Sequence, residues 1–304
     1  MPVAVGTGRW LMSGDLLHRF LFEELPVRGH LVRLDASWRA AVEHHAYPRA
    51  VSDALGEAMA AAALMAGALK FEGRLSLQVE SPGPLKLLLA QCTHRHAVRG
   101  VARHEPAADL AEAGNLFASG RLAVTIEQPE GDRYQGMVPL TGAPLAASLE
   151  QYFERSEQLP SRLVLAATAE RAAGLLLQRV AVGDEGARAD ADDAWLRIGL
   201  LAATLRPEEL LEMPCRDLLG RLFPEDDIRL FEGTPVWFQC SCSRERVAGI
   251  LQALGGDEVQ ALLAERGDVE VRCEFCNRAW RFDAVDVAGL FSTASPQQAS
   301  PAIH

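Results

Sequence analysis

The sequence predicts an α+β protein: an N-terminal α+β domain with β-sheets around a buried central helix over residues 1–182, a helical linker over 183–235, a small cysteine-bearing C-terminal domain over 236–291, and a disordered tail over 292–304. Three observations lead there. The Ala-rich run ending at Leu69 is apolar on every face, the pattern of a helix buried all round. Segments after it alternate apolar and polar residues with the period of half-buried strands. Four of the six cysteines fall as two close pairs near the C-terminus.

The central helix is expected to start at Ser52 or Asp53, residue types that cap helix N-termini. Its unbroken apolar stretch, Ala58 to Leu69, stops at Lys70 and is too short to cross a bilayer. Leu75, Leu77 and Val79 alternate with Ser76, Gln78 and Glu80, and Ser81-Pro82-Gly83-Pro84 turns the chain into Leu85–Ala90, which reads as a hairpin. Further strands are expected over Arg121–Ile126, Tyr134–Leu140, Leu163–Ala167 and Leu175–Val182, with a helix entered at Pro144. The acid-rich stretch Gly183–Ala194 reads as a solvated boundary loop. Trp195–Leu205, Pro207–Met213 and Cys215–Phe223 read as short helices punctuated by prolines. They carry too many apolar side chains to stand in water and are too short to persist alone, so their order has to come from docking.

Composition closes off several functions. Hydrophobic residues make up 49% and charged residues 23%, the balance of an ordinary folded domain. A net charge of −11 disfavours binding to nucleic acid or anionic membrane. Lys70 and Lys86 are the only lysines, and neither has the setting of a phosphate-binding loop. Asp15 and Arg19 near the N-terminus, with no basic stretch ahead of an apolar one, do not read as a secretory signal, so a cytoplasmic protein is expected.

Cys240-Ser241-Cys242 and Cys273-Glu274-Phe275-Cys276 are separated by 30 residues. Two such knuckles supply the four soft ligands of a tetrahedral Zn²⁺ site, here all thiolate, because every histidine lies at or before His104 except His304 in the tail. Ser243 can cap a helix with Val247, Ile250, Leu251 and Leu254 at helical spacing; Gly255-Gly256 ends it, and Asp257 can start another. Val269–Cys273 and Ala279–Phe282 flank the second knuckle as a hairpin. A purely structural zinc site is the plain interpretation, in a zinc-ribbon protein acting as an interaction scaffold. A redox switch is the sharper one: bound zinc contributes on the order of 10 kcal/mol to so small a domain, while disulfides closing loops of three or four residues constrain far less than the about 4 kcal/mol of a loop of about 35. Oxidation that joined neighbouring cysteines would then unfold the domain. Cys92 and Cys215 read as packed thiols, and Glu274 as a solvated carboxylate. Six arginines against nine acids over residues 236–291 count against a nucleic-acid-binding ribbon, and four thiolates leave no open coordination position for an enzyme.

At these residues the chain resembles the thirty-three-kilodalton heat-shock protein family, the redox-regulated holdase chaperones of the bacterial cytoplasm. The resemblance rests on Cys240-Ser-Cys242-Ser-Arg-Glu-Arg246, Val271-Arg-Cys273-Glu-Phe-Cys276-Asn277, the stretch Leu69–Gln78, Tyr152–Pro160 and Leu219-Gly-Arg-Leu-Phe223, and spans about Asp15 to Phe291. Pro224 departs from it, where many relatives carry histidine. The resemblance implies a non-enzymatic, ATP-independent chaperone whose reduced form holds one Zn²⁺ per chain on Cys240, Cys242, Cys273 and Cys276 and is inactive. It further implies that oxidation makes these redox-active disulfides, Cys240 with Cys242 and Cys273 with Cys276, releases zinc and unfolds the linker. The active form is then expected to be a homodimer that binds unfolded or oxidatively damaged client proteins.

Overall fold

The computed structural model describes residues 14–105, 116–129, 131, 133–181 and 186–292; the tail expected to be disordered lies outside the described residues, its first residue excepted. The chain divides into two compact units, Met1–Gln239 and Cys240–His304. In order, the first holds β1 (Leu16–Phe22), β2 (Val27–Leu34), α1 (Ala36–Val42), α2 (Arg49–Ala68), β3 (Arg74–Glu80), β4 (Leu85–Thr93), β5 (Ala97–His104), β6 (Arg121–Glu127), β7 (Arg133–Pro139) and α3 (Leu145–Tyr152), the last running into a π-helical turn. It continues with β8 (Ser161–Ala167), β9 (Ala172–Arg179), α4 (Gly186–Ala202), α5 (Pro207–Glu212), α6 (Cys215–Leu222), β10 (Ile228–Leu230), β11 (Thr234–Pro235) and β12 (Trp237–Phe238). One sheet runs β10-β1-β2-β9-β8 with β11 also on β1; the other runs β12-β5-β4-β3-β6-β7. The expected α+β class and hairpin are both present, with β3 and β4 in register from Arg74↔Thr93 to Glu80↔Leu87.

The helix α2 is packed by both sheets, and Leu55, Met59, Leu64 and Met65 are fully buried. It begins at Arg49, three residues ahead of the expected cap, because Pro48 is pre-set for helix entry and its carbonyl takes the Ser52 N–H at 2.9 Å. Gly100 on β5 lets the helix come close: a Cβ there would meet Leu55 and Met59 at 2.9 Å. One ionisable group sits awkwardly on this helix. Burial, and then the Asp53 carboxylate, push the Glu57 carboxyl up to about 7.

The first sheet is buried on both faces, and its strands alternate accordingly. Leu17, Val32, Ala172 and Leu176 join the core around α2, whereas Phe20, Phe22, Val27, Leu31, Leu175 and Leu177 point the other way. That second face is covered by Ile198, Ala202, Leu205, Leu210, Leu211, Leu218, Leu219, Leu222 and Phe223 from α4, α5, α6 and their connections. The ring of Phe20 lies across Gly29, where a Cβ would come within 2.1 Å of it. Polar ties reinforce the docking. The Arg33 guanidinium donates to the Leu210 carbonyl at 3.0 Å, that of Arg171 to Leu211 at 3.4 Å, and Arg197 pairs with Asp226, donating to it at 2.9 Å.

Two expectations for this region change. The stretch read as a boundary loop is helical from Gly186 onward. Its acids mask an apolar spacing, Ala191, Ile198 and Ala202, that is buried, while Asp192 turns outward to pair with Arg179. Of the apolar side chains expected to dock, Leu196 and Leu200 remain exposed, one turn apart on the other face of α4. Beyond the helices, β10 and β11 pair with β1, and β12 adds a parallel two-residue rung to β5.

The second unit holds α7 (Arg244–Leu254), α8 (Gly256–Arg266), β13 (Val269–Arg272), β14 (Ala279–Phe282) and α9 (Ala284–Ser292). Its core is six buried side chains: Val247, Leu251, Val259, Val269, Phe282 and Val287. The expected hairpin forms, from Val269↔Phe282 to Arg272↔Ala279. Ile250 and Leu254, at helical spacing with Val247 and Leu251, are exposed: the buried stripe of α7 is the narrower one of Val247 and Leu251.

The Glu57 environment gives a pH-dependent expectation. Its carboxyl titrates near 4.5 in the unfolded chain and about 7 when folded, so the folded state loses stability as pH rises across that window. Glu57→Gln should stabilise the protein by about 3 kcal/mol at slightly alkaline pH and make no difference below about pH 4.5, as read from denaturant melts.

Candidate metal centre

The four cysteines predicted to act together do come together. Their Sγ atoms all lie within 4.8 Å of one another. Two contacts bridge the knuckles, Cys240 to Cys273 and Cys242 to Cys276, each at 3.5 Å. A tetrahedron of thiolates around zinc has an edge of about 3.8 Å, so the separations suit an ion held at the centre. All four are free thiols and half-buried, and such a soft donor set favours zinc or other thiophilic ions over magnesium or calcium.

Local sequence holds each knuckle. The second is the turn of the β13–β14 hairpin: Asn277 donates to the Cys273 carbonyl at 2.7 Å, and Cys273 to the Arg278 carbonyl at 3.0 Å. Asn277 takes a left-handed conformation at φ 52°, which asparagine tolerates better than most side chains. The first knuckle runs into α7, where the Ser243 hydroxyl accepts from the Arg246 N–H at 3.3 Å, the cap expected from sequence. Arg246 also reaches back with its guanidinium to the Ser241 carbonyl at 2.7 Å, fixing the residue between the two thiols.

Electrostatics differ among the sulfurs. Burial pushes the Cys240 and Cys276 thiols up. Cys273 is held below the usual thiol value: burial opposes this, but the Cys276 and Phe275 N–H groups and the neighbouring thiols donate to it and prevail. Loading a metal requires the protons to leave, so affinity must fall with acid.

The remaining cysteines stay apart. Cys92 is buried in β4 with its thiol directed at the Thr93 carbonyl, 3.4 Å away. Cys215 opens α6 against the docked face of the first sheet, where burial pushes its thiol up to about 11, despite Arg33 and Arg216. Glu274 is exposed. The residue that sequence reasoning missed is Arg244. It donates to the Arg281 carbonyl at 2.8 Å, pairs with Asp286 at 2.6 Å and lies 4.3 Å over the Phe282 ring, joining α7 to β14 and α9. No spacing rule marks an arginine of this kind, since its three partners are distant in sequence.

Comparison with known proteins agrees with this architecture. The model of the Hsp33 protein family matches residues 15–283. The chain belongs to the Hsp33 family. Among curated members, the 33 kDa chaperonin of Nitrosococcus oceani is 48% identical over 278 residues, covering 91% of this chain and 94% of its own. That of Methylobacillus flagellatus is 44% identical over 285 residues, covering 93% and 96%. The crystal structure of the 33 kDa chaperonin from Thermotoga maritima superposes with a TM-score of 0.76 at 24% identity over 91% of this chain and 98% of that one, a likeness of fold. The match of the Hsp33 model covers all four cysteines, both sheets and the helices between them.

Two outcomes are expected at this centre. Cobalt(II) should bind one ion per chain with the intense thiolate charge-transfer bands of a four-sulfur site, zinc should displace it, and Cys242→Ser should weaken the bands to those of three thiolates. Arg244→Lys, which keeps the charge but loses the planar contacts, should lower the thermal midpoint of the second unit in the metal-loaded protein, as read by calorimetry.

Proposed function

We propose that this protein is a redox-regulated, ATP-independent holdase chaperone of the cytoplasm, inactive while zinc is held by Cys240, Cys242, Cys273 and Cys276. The observation that carries this is the burial of the first sheet's outer face: Phe20, Phe22, Leu175 and Leu177 are kept from water by short helices that precede Cys240 in the chain. Bound zinc would tie the two knuckles of the second unit and supply on the order of 10 kcal/mol to a unit with six core side chains.

In this reading the thiols are the sensor. Two thiolates give two electrons to hypochlorous acid, which leaves as chloride and hydroxide, and one sulfur–sulfur bond forms. With the pairing inherited from the family, Cys240 with Cys242 and Cys273 with Cys276, each disulfide closes a loop of a few residues and cannot replace the tie across the 30-residue gap. The second unit unfolds, α4 to α6 follow, and the apolar sheet face together with the freed helices binds unfolded or oxidatively damaged clients. The oxidised form is a homodimer, and no enzymatic step is involved. The curated relatives' name, 33 kDa chaperonin, supports the chaperone part of this reading.

The test is light scattering from an unfolding client, with zinc release followed by a chromogenic chelator. Suppression of aggregation should appear after hypochlorous acid and not before, in step with zinc release. Equal behaviour of the two forms with zinc retained would leave a structural zinc site in an interaction scaffold. A second test needs no oxidant. Phe223 is 1% exposed and its ring meets that of Phe22 at 5.1 Å, so Phe223→Ala should cost about 3–5 kcal/mol of docking and suppress aggregation in the zinc-loaded, reduced state.

A further inference from the structure

A sheet ends in strands whose outer backbone groups have no neighbour, and folded proteins shorten, cover or charge such edges. Three of the four sheet edges in the first unit obey this. One is formed by β10 and β11 and another by β12, of three, two and two residues. The third, β8, lies against α3, α4 and α5, and the Leu163 N–H on it donates to the Glu150 carboxylate at 2.7 Å. The fourth, β7, is a seven-residue strand with no further strand beyond it among the described residues.

The register shows which groups of β7 are open. The Leu140 N–H donates to the directly opposed Gly120 carbonyl at 3.1 Å, so that pair is a hydrogen-bonded one. Hydrogen-bonded and non-hydrogen-bonded pairs alternate along an antiparallel ladder. Val138, Gly136 and Tyr134 therefore exchange bonds with Leu122, Val124 and Ile126 on β6. The N–H and C=O groups of Arg133, Gln135 and Met137 point away from the sheet, and they find no partner elsewhere among the described residues. Pro139, without an N–H, closes the row at one end. Between Arg133 and Pro139 stands no charge or proline, and the register carries no shift, so the usual guards of an edge are missing there. Arg133, Tyr134, Gln135 and Met137 are all exposed, and Tyr134 and Met137 put a large apolar side chain on each face of the strand.

Donors and acceptors repeated at every second residue are complementary to an extended backbone. A second copy of this chain is the poorer occupant. Self-pairing of a strip about 23 Å long and one strand thick falls well short of the about 1,000 Å² that a specific dimer needs. A flexible segment has no such requirement, since it gains from backbone hydrogen bonds and binds reversibly.

We propose that the open edge of β7 captures extended segments of unfolded polypeptide by strand addition, through the backbone of Arg133, Gln135 and Met137 and apolar contacts to Tyr134 and Met137. The inference rests on the chaperone reading for its clients but not on the redox switch, because β7 is exposed while the four thiols are together. One edge of this length holds a client weakly; an uncovered apolar face on the first sheet would add a second attachment to the same client chain.

The test uses the full-length, reduced, zinc-loaded protein, so its result does not depend on whether oxidation activates anything. The probe is an amidated, fluorescein-labelled eight-residue peptide of alternating threonine and valine with a glutamate at each end. Its control carries two adjacent central prolines, which remove a donor from each edge of the peptide. Saturable binding of the first peptide is expected by fluorescence anisotropy, with the Gln135 and Met137 amides protected from hydrogen exchange in the complex. Gln135→Pro removes an outward N–H where an edge strand accepts proline, and should weaken binding about tenfold or more. Met137→Lys, which keeps the backbone and charges an exposed position, should also weaken it. Val285→Ser, at an exposed apolar residue of the second unit, should leave it unchanged. Equal binding of the proline peptide, amides left unprotected in the complex, or full affinity in both the Gln135→Pro and Met137→Lys proteins would overturn the proposal. So would a dimer of the free protein that these substitutions dissociate, which would assign the edge to a second copy.

Discussion

The constraint on which the first unit depends is the covering of a sheet that is apolar on both faces. Its inner face meets α2, a single twenty-residue helix whose own surface is buried nearly all round. Its outer face meets α4 and two helices of six and eight residues, lengths that are not stable in isolation. The two coverings therefore differ in kind. Removing α2 would take away the centre of the core, whereas removing the outer helices would uncover the apolar outer face of one sheet. A face built from Phe20, Phe22, Leu31, Leu175 and Leu177 cannot stay in water without finding another partner.

The second unit poses the opposite problem, too little core for its length. Six buried side chains set against the ordering of some fifty residues leave no surplus, which is the regime in which a cross-link decides whether a small domain folds. Arg244 and the Ser243 cap organise α7 against β14 and α9, but both act through surface-exposed groups and add little where solvent competes. The tie across the two knuckles is what remains, and the four sulfurs within 4.8 Å are its only evident means among the described residues.

Much of this was legible in the sequence, for stated reasons. The cysteine cluster was, because soft ligands at short spacing have few other uses, and so was α2, because an all-apolar helix of that length has nowhere to go but a core. The β3–β4 hairpin followed from alternation and a Pro-Gly turn. Failures came where two signals competed. Around Asp190, Asp192 and Asp193 charge density outweighed the buried stripe of Ala191, Ile198 and Ala202 in the reading, although a helix can carry both on opposite faces. On α7 the spacing of Ile250 and Leu254 was right for a helix but did not say how wide its buried stripe would be. Contacts made by one long side chain to several distant elements, as by Arg244 and Arg33, leave no local pattern at all.

The order of elements along the chain bears on how a change at the thiols can reach the outer helices. Between α6 and Cys240 the chain is fixed by β10, β11 and β12, of three, two and two residues. The last of these is held by the Trp237 N–H on the His96 carbonyl at 3.2 Å and the Gln239 N–H on the Val98 carbonyl at 3.0 Å. Rungs this short gain little from cooperativity, so each depends on the chain beyond it being held. Going back along the chain from Cys240, the elements met before α6 are only β12, β11 and β10, none of them long. Val236 is fully buried in the core around α2 and anchors this stretch of chain to the first unit.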